Sequence, residues 1–76
     1  MSPRLPALTP RDVIRALERA GFFVRRTRGS HYLLKHPDNP RLHVVVPCHS
    51  RDLSRKTLLS IVKSAGLTEE EFTELL

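Results

Sequence analysis

The residues of this chain best suited to chemistry near neutral pH are its histidines. His31 follows a glycine and a small serine, Gly29 and Ser30, which leave room for a bulky substrate backbone to approach. His49 follows Pro47 and Cys48 at the end of an apolar stretch. Because the ordinary pKa of histidine is about 6.5, an imidazole can give or take a proton at neutral pH. His31 is therefore the candidate catalytic residue, with His49 and Ser30 as auxiliary candidates; histidines without a catalytic role are the alternative.

Cleavage of RNA without a metal ion is one reaction that suits a histidine among cations. It requires removal of a proton from the 2′-hydroxyl, stabilisation of the crowded phosphate, and protonation of the departing 5′-oxygen. Lysine and arginine side chains stabilise the negative charge of the transition state. The candidate RNA contacts are Arg26, Arg28, Lys35 and Lys56. A solvated basic hairpin without a ligand is the alternative.

The single cysteine and the other histidines predict no metal site. His36, His43, Cys48 and His49 lack the paired spacing of a four-ligand structural zinc site. We expect His36 in a turn, His43 on a strand surface, and Cys48 as a small apolar side chain rather than a nucleophile. Since one cysteine cannot form an intramolecular disulfide, a reducing cytoplasm is the expected compartment. No cofactor is expected.

The charge of the chain indicates a polyanionic partner. Its 76 residues include 13 Lys and Arg against 8 Asp and Glu, giving a net charge of +5 and a pI near 10.4. All the basic residues lie within residues 1–63, whereas residues 64–76 contribute only acidic charges. This asymmetry is typical of nucleic-acid binding. An acidic protein partner, or a basic surface with no partner, is the alternative.

Length and composition predict one small domain over residues 1–76. A chain of this length supports a single small core, and 39% apolar with 28% charged residues is ordinary for a folded protein. No apolar run approaches the roughly 20 residues of a membrane span, and the N-terminus lacks the apolar core of a signal peptide. A multidomain enzyme, a membrane protein and a disulfide scaffold are therefore not expected. Pro3 and Pro6 predict a flexible lead-in over residues 1–8.

Local patterns predict three helices and three strands. Thr9, Pro10 and Asp12 indicate an N-terminal cap for a helix over residues 10–20, which Gly21 ends. Short β-rich segments separated by turns predict strands at 22–27, 30–35 and 41–46. Ser54 caps a second helix that Gly66 ends, and Thr68, Glu71 and Phe72 give the last short helix a capping box and a hydrophobic staple.

The resulting order, α-β-β-β-α plus a short C-terminal helix, predicts an α+β fold. A three-stranded antiparallel sheet with the helices on one face is the economical two-layer arrangement, and double-stranded-RNA-binding domains share it. If Arg28 and Gly29 form a two-residue hairpin turn, Arg26 faces His31 directly. Arginine suits the required positive φ poorly, so a longer loop is the alternative.

Three motifs in register resemble the HicA family (YcfA-like proteins), the toxin half of type II toxin–antitoxin pairs. They are Gly21-Phe22 leading to Gly29-Ser30-His31, the strand end Val45-Val46-Pro47-Cys48-His49, and the helix segment Thr57–Leu67. The resemblance runs from about Arg11 to Phe72. One departure is Lys56, which stands where members often have glycine and adds a positive charge there.

The resemblance implies an mRNA interferase of double-stranded-RNA-binding-domain-like fold, with His31 as its single essential histidine. It also implies a cognate HicB antitoxin that binds the toxin and blocks its RNA site. A non-catalytic RNA-binding module of the same fold is the main alternative, since it explains the charge and the element order equally well. A DNA-binding regulator, or a component that acts only as part of the antitoxin complex, ranks last because the sequence shows no recognition-helix pattern.

Overall fold

A computed structural model of the chain describes residues 5–49 and 51–76. Within them, the elements follow the predicted order and form a three-stranded antiparallel sheet with three helices. The helices are α1 (Pro10–Arg19), α2 (Arg55–Ser64) and α3 (Glu69–Glu74), and the strands are β1 (Phe23–Arg28), β2 (His31–His36) and β3 (Asn39–Pro47). The predicted α+β fold of the double-stranded-RNA-binding-domain type is confirmed. None of these helices has the length and apolar character needed to cross a membrane.

Polar side chains fix where the helices begin. The Thr9 hydroxyl accepts a hydrogen bond from the Asp12 N–H, and the Asp12 carboxylate accepts one from the Thr9 N–H. Thr68 and Glu71 form the same reciprocal pair at α3, and Ser54 caps α2. Each cap satisfies backbone donors that the first helical turn leaves unpaired. The predicted caps are confirmed.

The helices cover one face of the sheet. The strand order is β1-β2-β3, and both α1 and α2 pack against β3. Leu34, Val44 and Val46 are buried in the core. Because successive strand residues point to opposite faces, Leu33 and Val45 lie on the other face, and Val45 is 47% exposed there. We call this second face, opposite the helices, the outer face.

The turn between β1 and β2 differs from the predicted turn. Arg28 pairs with His31, so the turn consists of Gly29 and Ser30. Gly29 has φ of +58°, which glycine adopts without the strain that arginine would suffer. The prediction that Arg26 faces His31 is therefore wrong, because Arg26 pairs with Leu33 and Arg28 takes the position opposite His31.

A β-bulge interrupts the pairing of β1 with β2. Val24 pairs with Leu34 and Arg26 pairs with Leu33, so Arg25 is an extra residue on β1. In an uninterrupted strand Val24 and Arg26 would share a face. The bulge places Val24 opposite the buried Leu34 and Arg26 on the outer face instead.

Two further expectations need correction. His36, predicted in a turn, is the last residue of β2, and its ring contacts the backbone at the end of α1. Leu5 and Leu8 belong to the buried core, and the Leu53 N–H donates to the Leu8 carbonyl at 2.8 Å. The expected flexible lead-in therefore does not hold for residues 5–8, because burial of two leucines attaches this segment to the core; residues 1–4 of that prediction lie outside the described residues.

Candidate active site

His31 is the first residue of β2 and lies on the outer face, where cations and apolar side chains from all three strands surround it. The alternation of β2 places His31, Leu33 and Lys35 on this face, and the pairing register adds residues of β1 and β3. The outer face carries Phe23, Arg26, Arg28, His31, Leu33, Lys35, His43 and Val45. His43 is an exposed strand residue there, as predicted.

A shallow cleft of about 190 Å³ surrounds His31 on the outer face. Its lining consists of Arg26, Arg28, His31, Leu33 and Val45. Arg28 lies directly across the strand pair from His31, a position in which neighbouring side chains approach within about 5 Å at their Cβ atoms. The cleft therefore presents one imidazole and two guanidinium groups on an apolar floor. Both predicted arginine contacts lie beside the predicted catalytic histidine.

His49 lies next to His31, although 18 positions separate them in the sequence. The ring centroids are 6.5 Å apart and the ring planes are inclined at 82°. The pairing of His31 with Pro47 brings the end of β3 alongside the start of β2, and the Cys48 N–H donates to the Ser30 carbonyl just beyond it. The structure thus brings both candidate histidines together. Ser30 contributes its backbone carbonyl to this arrangement.

The other two predicted RNA contacts lie farther from His31. Lys35 is on the outer face but four residues along β2, about 13 Å away at the usual rise of a strand, and its Nζ donates to the Pro40 carbonyl at 3.3 Å. Lys56 is an exposed residue in the first turn of α2, on the helical side of the sheet. Its neighbour Arg55 forms an ion pair of 3.6 Å with Glu69. Neither lysine lines the His31 cleft.

The sequence profile described as HicA toxin of bacterial toxin-antitoxin matches residues 10–67, well over half of the chain. The chain belongs to the HicA toxin family. The match begins with α1 and ends just before the cap of α3, so it includes both histidines and the whole sheet. Membership makes this protein a toxin of a toxin–antitoxin system and implies an antitoxin partner. No curated protein matches the chain.

A second basic depression of this HicA toxin lies on the helical side of the sheet. The groove has a volume of about 540 Å³ between α1 and the end of β3. Its lining includes Arg11, Ile14, Arg15, Tyr32, Cys48 and His49, with Glu18 as an acidic member. His49 therefore borders this groove while its ring also faces His31. We call it the α1 groove.

Arg11 and Arg15 are the basic residues at this site that the sequence interpretation missed. They are four positions apart on α1, so both lie on the same side of the helix. That spacing was the feature of the sequence that could have identified Arg11 and Arg15 as a basic pair. It could not reveal that this side of α1 faces His49, because the contact depends on how the helix packs against β3.

Cys48 borders the α1 groove without the features of a nucleophile. Burial raises the pKa of its thiol, so less of it is the reactive thiolate at neutral pH. Its Sγ lies 3.7 Å from the Val46 carbonyl oxygen, and the side chain packs partly against the core. The prediction that Cys48 packs as a small apolar residue agrees with this environment. Across residues 5–49 and 51–76, no three His, Cys, Asp or Glu side chains are grouped as metal ligands.

Proposed function

We propose that this HicA toxin is a metal-independent endoribonuclease, an mRNA interferase that cleaves mRNA and so inhibits translation and growth. The observation that carries the proposal is the position of His31 in an exposed cleft with Arg26 and Arg28. An imidazole beside two guanidinium groups has the groups that phosphodiester cleavage requires, a proton-transfer group and charge stabilisation of the phosphate. The family membership of the chain supports the same conclusion.

In this proposal, His31 acts as general acid or base on the scissile phosphodiester. Arg28 and Arg26 bind the phosphate, and Lys35 and Lys56 contact phosphates farther along the RNA strand. Because arginine can donate two parallel hydrogen bonds to a phosphate, the two arginines also orient the strand. Attack by the 2′-hydroxyl predicts a cyclic phosphate or 3′-phosphate on one product and a 5′-hydroxyl on the other.

The partner that neutralises this activity is, in our proposal, a HicB-type antitoxin that covers the outer face, in the cytoplasm. The cleft around His31 is basic, so the contacting surface of the antitoxin is acidic or places a side chain over His31. A structure of the complex with the antitoxin remote from His31 and the cleft open to RNA would contradict this part of the proposal.

The test of the nuclease proposal is induced expression of the wild type and of His31→Ala in a host without the antitoxin. We expect growth arrest with mRNA fragmentation for the wild type and neither effect for the folded variant. His43→Ala is the matched control, because it removes an exposed histidine from the same face of the sheet. Purified toxin should also cut RNA in the presence of a chelator and leave 5′-hydroxyl ends; 5′-phosphate ends under metal dependence would refute the mechanism.

The second candidate function is a non-catalytic RNA-binding module. The exposed cations and apolar side chains of the outer face favour RNA binding whether or not His31 is catalytic. This alternative predicts that His31→Ala retains both RNA affinity and its effect on growth. The expression experiment therefore separates the two functions.

A further inference from the structure

We propose that His49 is a second proton-transfer residue and shares with His31 the two proton movements of RNA cleavage. The inference rests on the proposed nuclease function and deepens it. It starts from the geometry of the two imidazoles, whose centroids are 6.5 Å apart at an interplanar angle of 82°. His49 would then be a catalytic residue in its own right, on a different strand end from His31.

The two rings are available to a ligand. Both side chains are exposed. His36 provides a contrast, because both of its ring nitrogens are engaged in hydrogen bonds to the backbone. Among residues 5–49 and 51–76, no hydrogen bond occupies the ring nitrogens of His31 or His49. Nothing in the fold of the described residues therefore requires either ring for stability.

The two rings are close enough for one phosphodiester of the RNA to reach both of them. Aromatic pairs in contact have centroids about 4.5–7 Å apart, so 6.5 Å is near the outer limit and packing contributes little. Hydrogen bonds from nitrogen to a charged oxygen are about 2.7–2.9 Å long. A phosphodiester beside the pair can therefore accept a hydrogen bond from one imidazole while the neighbouring 2′-hydroxyl donates to the other, with the cations of the cleft next to it.

The outer-face cleft and the α1 groove meet at this pair. His31 lines the outer-face cleft together with Arg28, and His49 lines the α1 groove together with Arg11 and Arg15. An RNA strand that occupies both the outer-face cleft and the α1 groove passes His31 and His49 at the point where it leaves the cleft and enters the groove. Cations on both sides of that point hold the neighbouring phosphates, so the phosphodiester beside the two rings is the one positioned for cleavage.

In the proposed cleavage step, one histidine accepts a proton and the other donates one, so protons and bonds balance. One imidazole, neutral at the start, takes the proton of the 2′-hydroxyl as the 2′-oxygen forms its bond to phosphorus. The other, protonated at the start, gives its proton to the 5′-oxygen as the bond from phosphorus to that oxygen breaks. The products are a 2′,3′-cyclic phosphate and a 5′-hydroxyl. The two residues have then exchanged protonation states, and exchange with water restores them.

The first experiment compares the pH dependence of cleavage of an RNA oligonucleotide by the wild type, His49→Ala and His43→Ala. We expect a bell-shaped profile for the wild type, because one histidine must be neutral and the other protonated. His49→Ala should lose about 10²–10⁴-fold in rate at the optimum and lose one limb of the bell. His43→Ala should match the wild type. Retention by His49→Ala of the wild-type rate, or of both limbs at a lower rate, overturns the proposal.

The second experiment identifies the acid. The substrate is an RNA oligonucleotide with sulfur in place of the bridging 5′-oxygen at the cleavage site, because a departing thiolate does not need a proton. Of the variants His31→Ala and His49→Ala, the one that lacks the acid should recover toward the wild-type rate, and the other should not. Recovery by neither variant overturns the proposal. His49→Gln is the second variant at this position. An unchanged circular dichroism spectrum and thermal midpoint for it exclude a folding defect as the cause of lost activity.

Failure of this inference is distinguishable from failure of the nuclease proposal. If the wild type does not cut RNA, or if His31→Ala cuts as fast as the wild type, the proposed function itself is wrong. If His31→Ala is inactive while His49→Ala behaves like His43→Ala, the nuclease function stands and only the role of His49 is wrong.

Discussion

The imidazole of His36 and the carbonyl oxygen of Ala20 lie 3.1 Å apart, which joins the end of β2 to the end of α1. The Asp38 N–H donates to Nδ1 of the same ring at 3.1 Å, so Nε2 carries the proton and donates to Ala20. The ring also forms a T-shaped contact with the ring of Phe22, with centroids 5.0 Å apart and planes inclined at 84°. One side chain thus joins a helix, a strand and the following turn, at the opposite end of β2 from His31.

Replacement of His36 by alanine should destabilise the fold without touching the cleft. The variant loses two hydrogen bonds and leaves a part-buried carbonyl without its donor, and we expect a loss of about 1–3 kcal/mol in the free energy of unfolding. His43→Ala, an exposed histidine on the neighbouring strand, should change it little. Urea denaturation followed by circular dichroism measures both, and equal midpoints for the two variants would contradict the structural role of His36.

Gly21 should tolerate alanine less well than Gly29. Both glycines have positive φ, +99° and +58°, so alanine is strained at either position, by about 1–2 kcal/mol. A Cβ at Gly21 would also lie 2.7 Å from Nε2 of His36, whereas a Cβ at Gly29 meets nothing within 4 Å. Gly21→Ala should therefore lower the unfolding free energy more than Gly29→Ala.

A double variant isolates the contact between Gly21 and His36. In Gly21→Ala combined with His36→Ala, the clash disappears and only the backbone strain remains. The combined loss of stability should thus be smaller than the sum of the two single losses. Strict additivity would show that the His36 ring does not restrict position 21.

Arg28→Ala should reduce the salt dependence of RNA binding. Each phosphate contact made by a cation releases counterions, so loss of one contact to single-stranded RNA should reduce the slope of log affinity against log salt by about 0.7. Lys63→Ala removes the same charge from the last turn of α2, away from the outer face, and should leave the slope near its wild-type value. Binding titrations at several salt concentrations with His31→Ala as the background avoid cleavage; identical slopes would contradict a contact at Arg28.

Cys48 should react slowly with alkylating reagents at neutral pH. Burial raises the pKa of this thiol, and the thiolate is the reactive form. The increase of the alkylation rate with pH should therefore occur at a higher pH in the folded toxin than in the urea-unfolded chain. Cys48→Ala should keep RNA cleavage, because the thiol has no role in the proposed mechanism. A folded toxin that reacts at lower pH than the unfolded chain would contradict this description.

The Asp12 cap should contribute to stability in a pH-dependent way. Hydrogen bonds from Thr9, the backbone N–H first, hold the pKa of Asp12 below its ordinary value. A carboxyl whose pKa is lowered on folding stabilises the native state above its unfolded pKa, and this contribution is lost as the pH falls through the folded pKa. The thermal midpoint of Asp12→Asn should lie below that of the wild type near pH 6, and the difference should shrink toward about pH 2. A difference independent of pH would contradict the cap.

Local features of this fold were predictable from the sequence because their causes are local. The caps at Thr9 and Thr68 depend on residues three positions apart, and both are present. The α-β-β-β-α order follows from the same kind of short-range pattern. The register of the β1–β2 hairpin was not predictable in this way. It depends on which residue of the turn adopts a positive φ, and a choice one residue away shifts the whole pairing. Gly29 takes it, so Arg28 rather than Arg26 lies opposite His31.

Part of the candidate site was predictable from residue type, whereas its arrangement was not. His31, Arg26 and Arg28 could be chosen by type and by neighbourhood in the chain, and they line one cleft. The proximity of His49 to His31 depends on the pairing of β2 with β3. The α1 groove depends on the packing of a helix against a strand, so neither could be obtained from spacing alone.

The bulge at Arg25 sets how much length β1 can gain or lose. Since Arg25 is the unpaired extra residue, a chain without it could keep Val24 opposite Leu34 and Arg26 opposite Leu33 in a regular ladder. Removal of a residue from a paired stretch would instead turn every side chain on one side of the gap to the wrong face. Since residues 25 and 26 are both arginine, deletion of either gives the same chain. That deletion is a milder edit than deletion of Val24, which would remove the side chain opposite the buried Leu34, so the bulge is the natural position for variation in chain length.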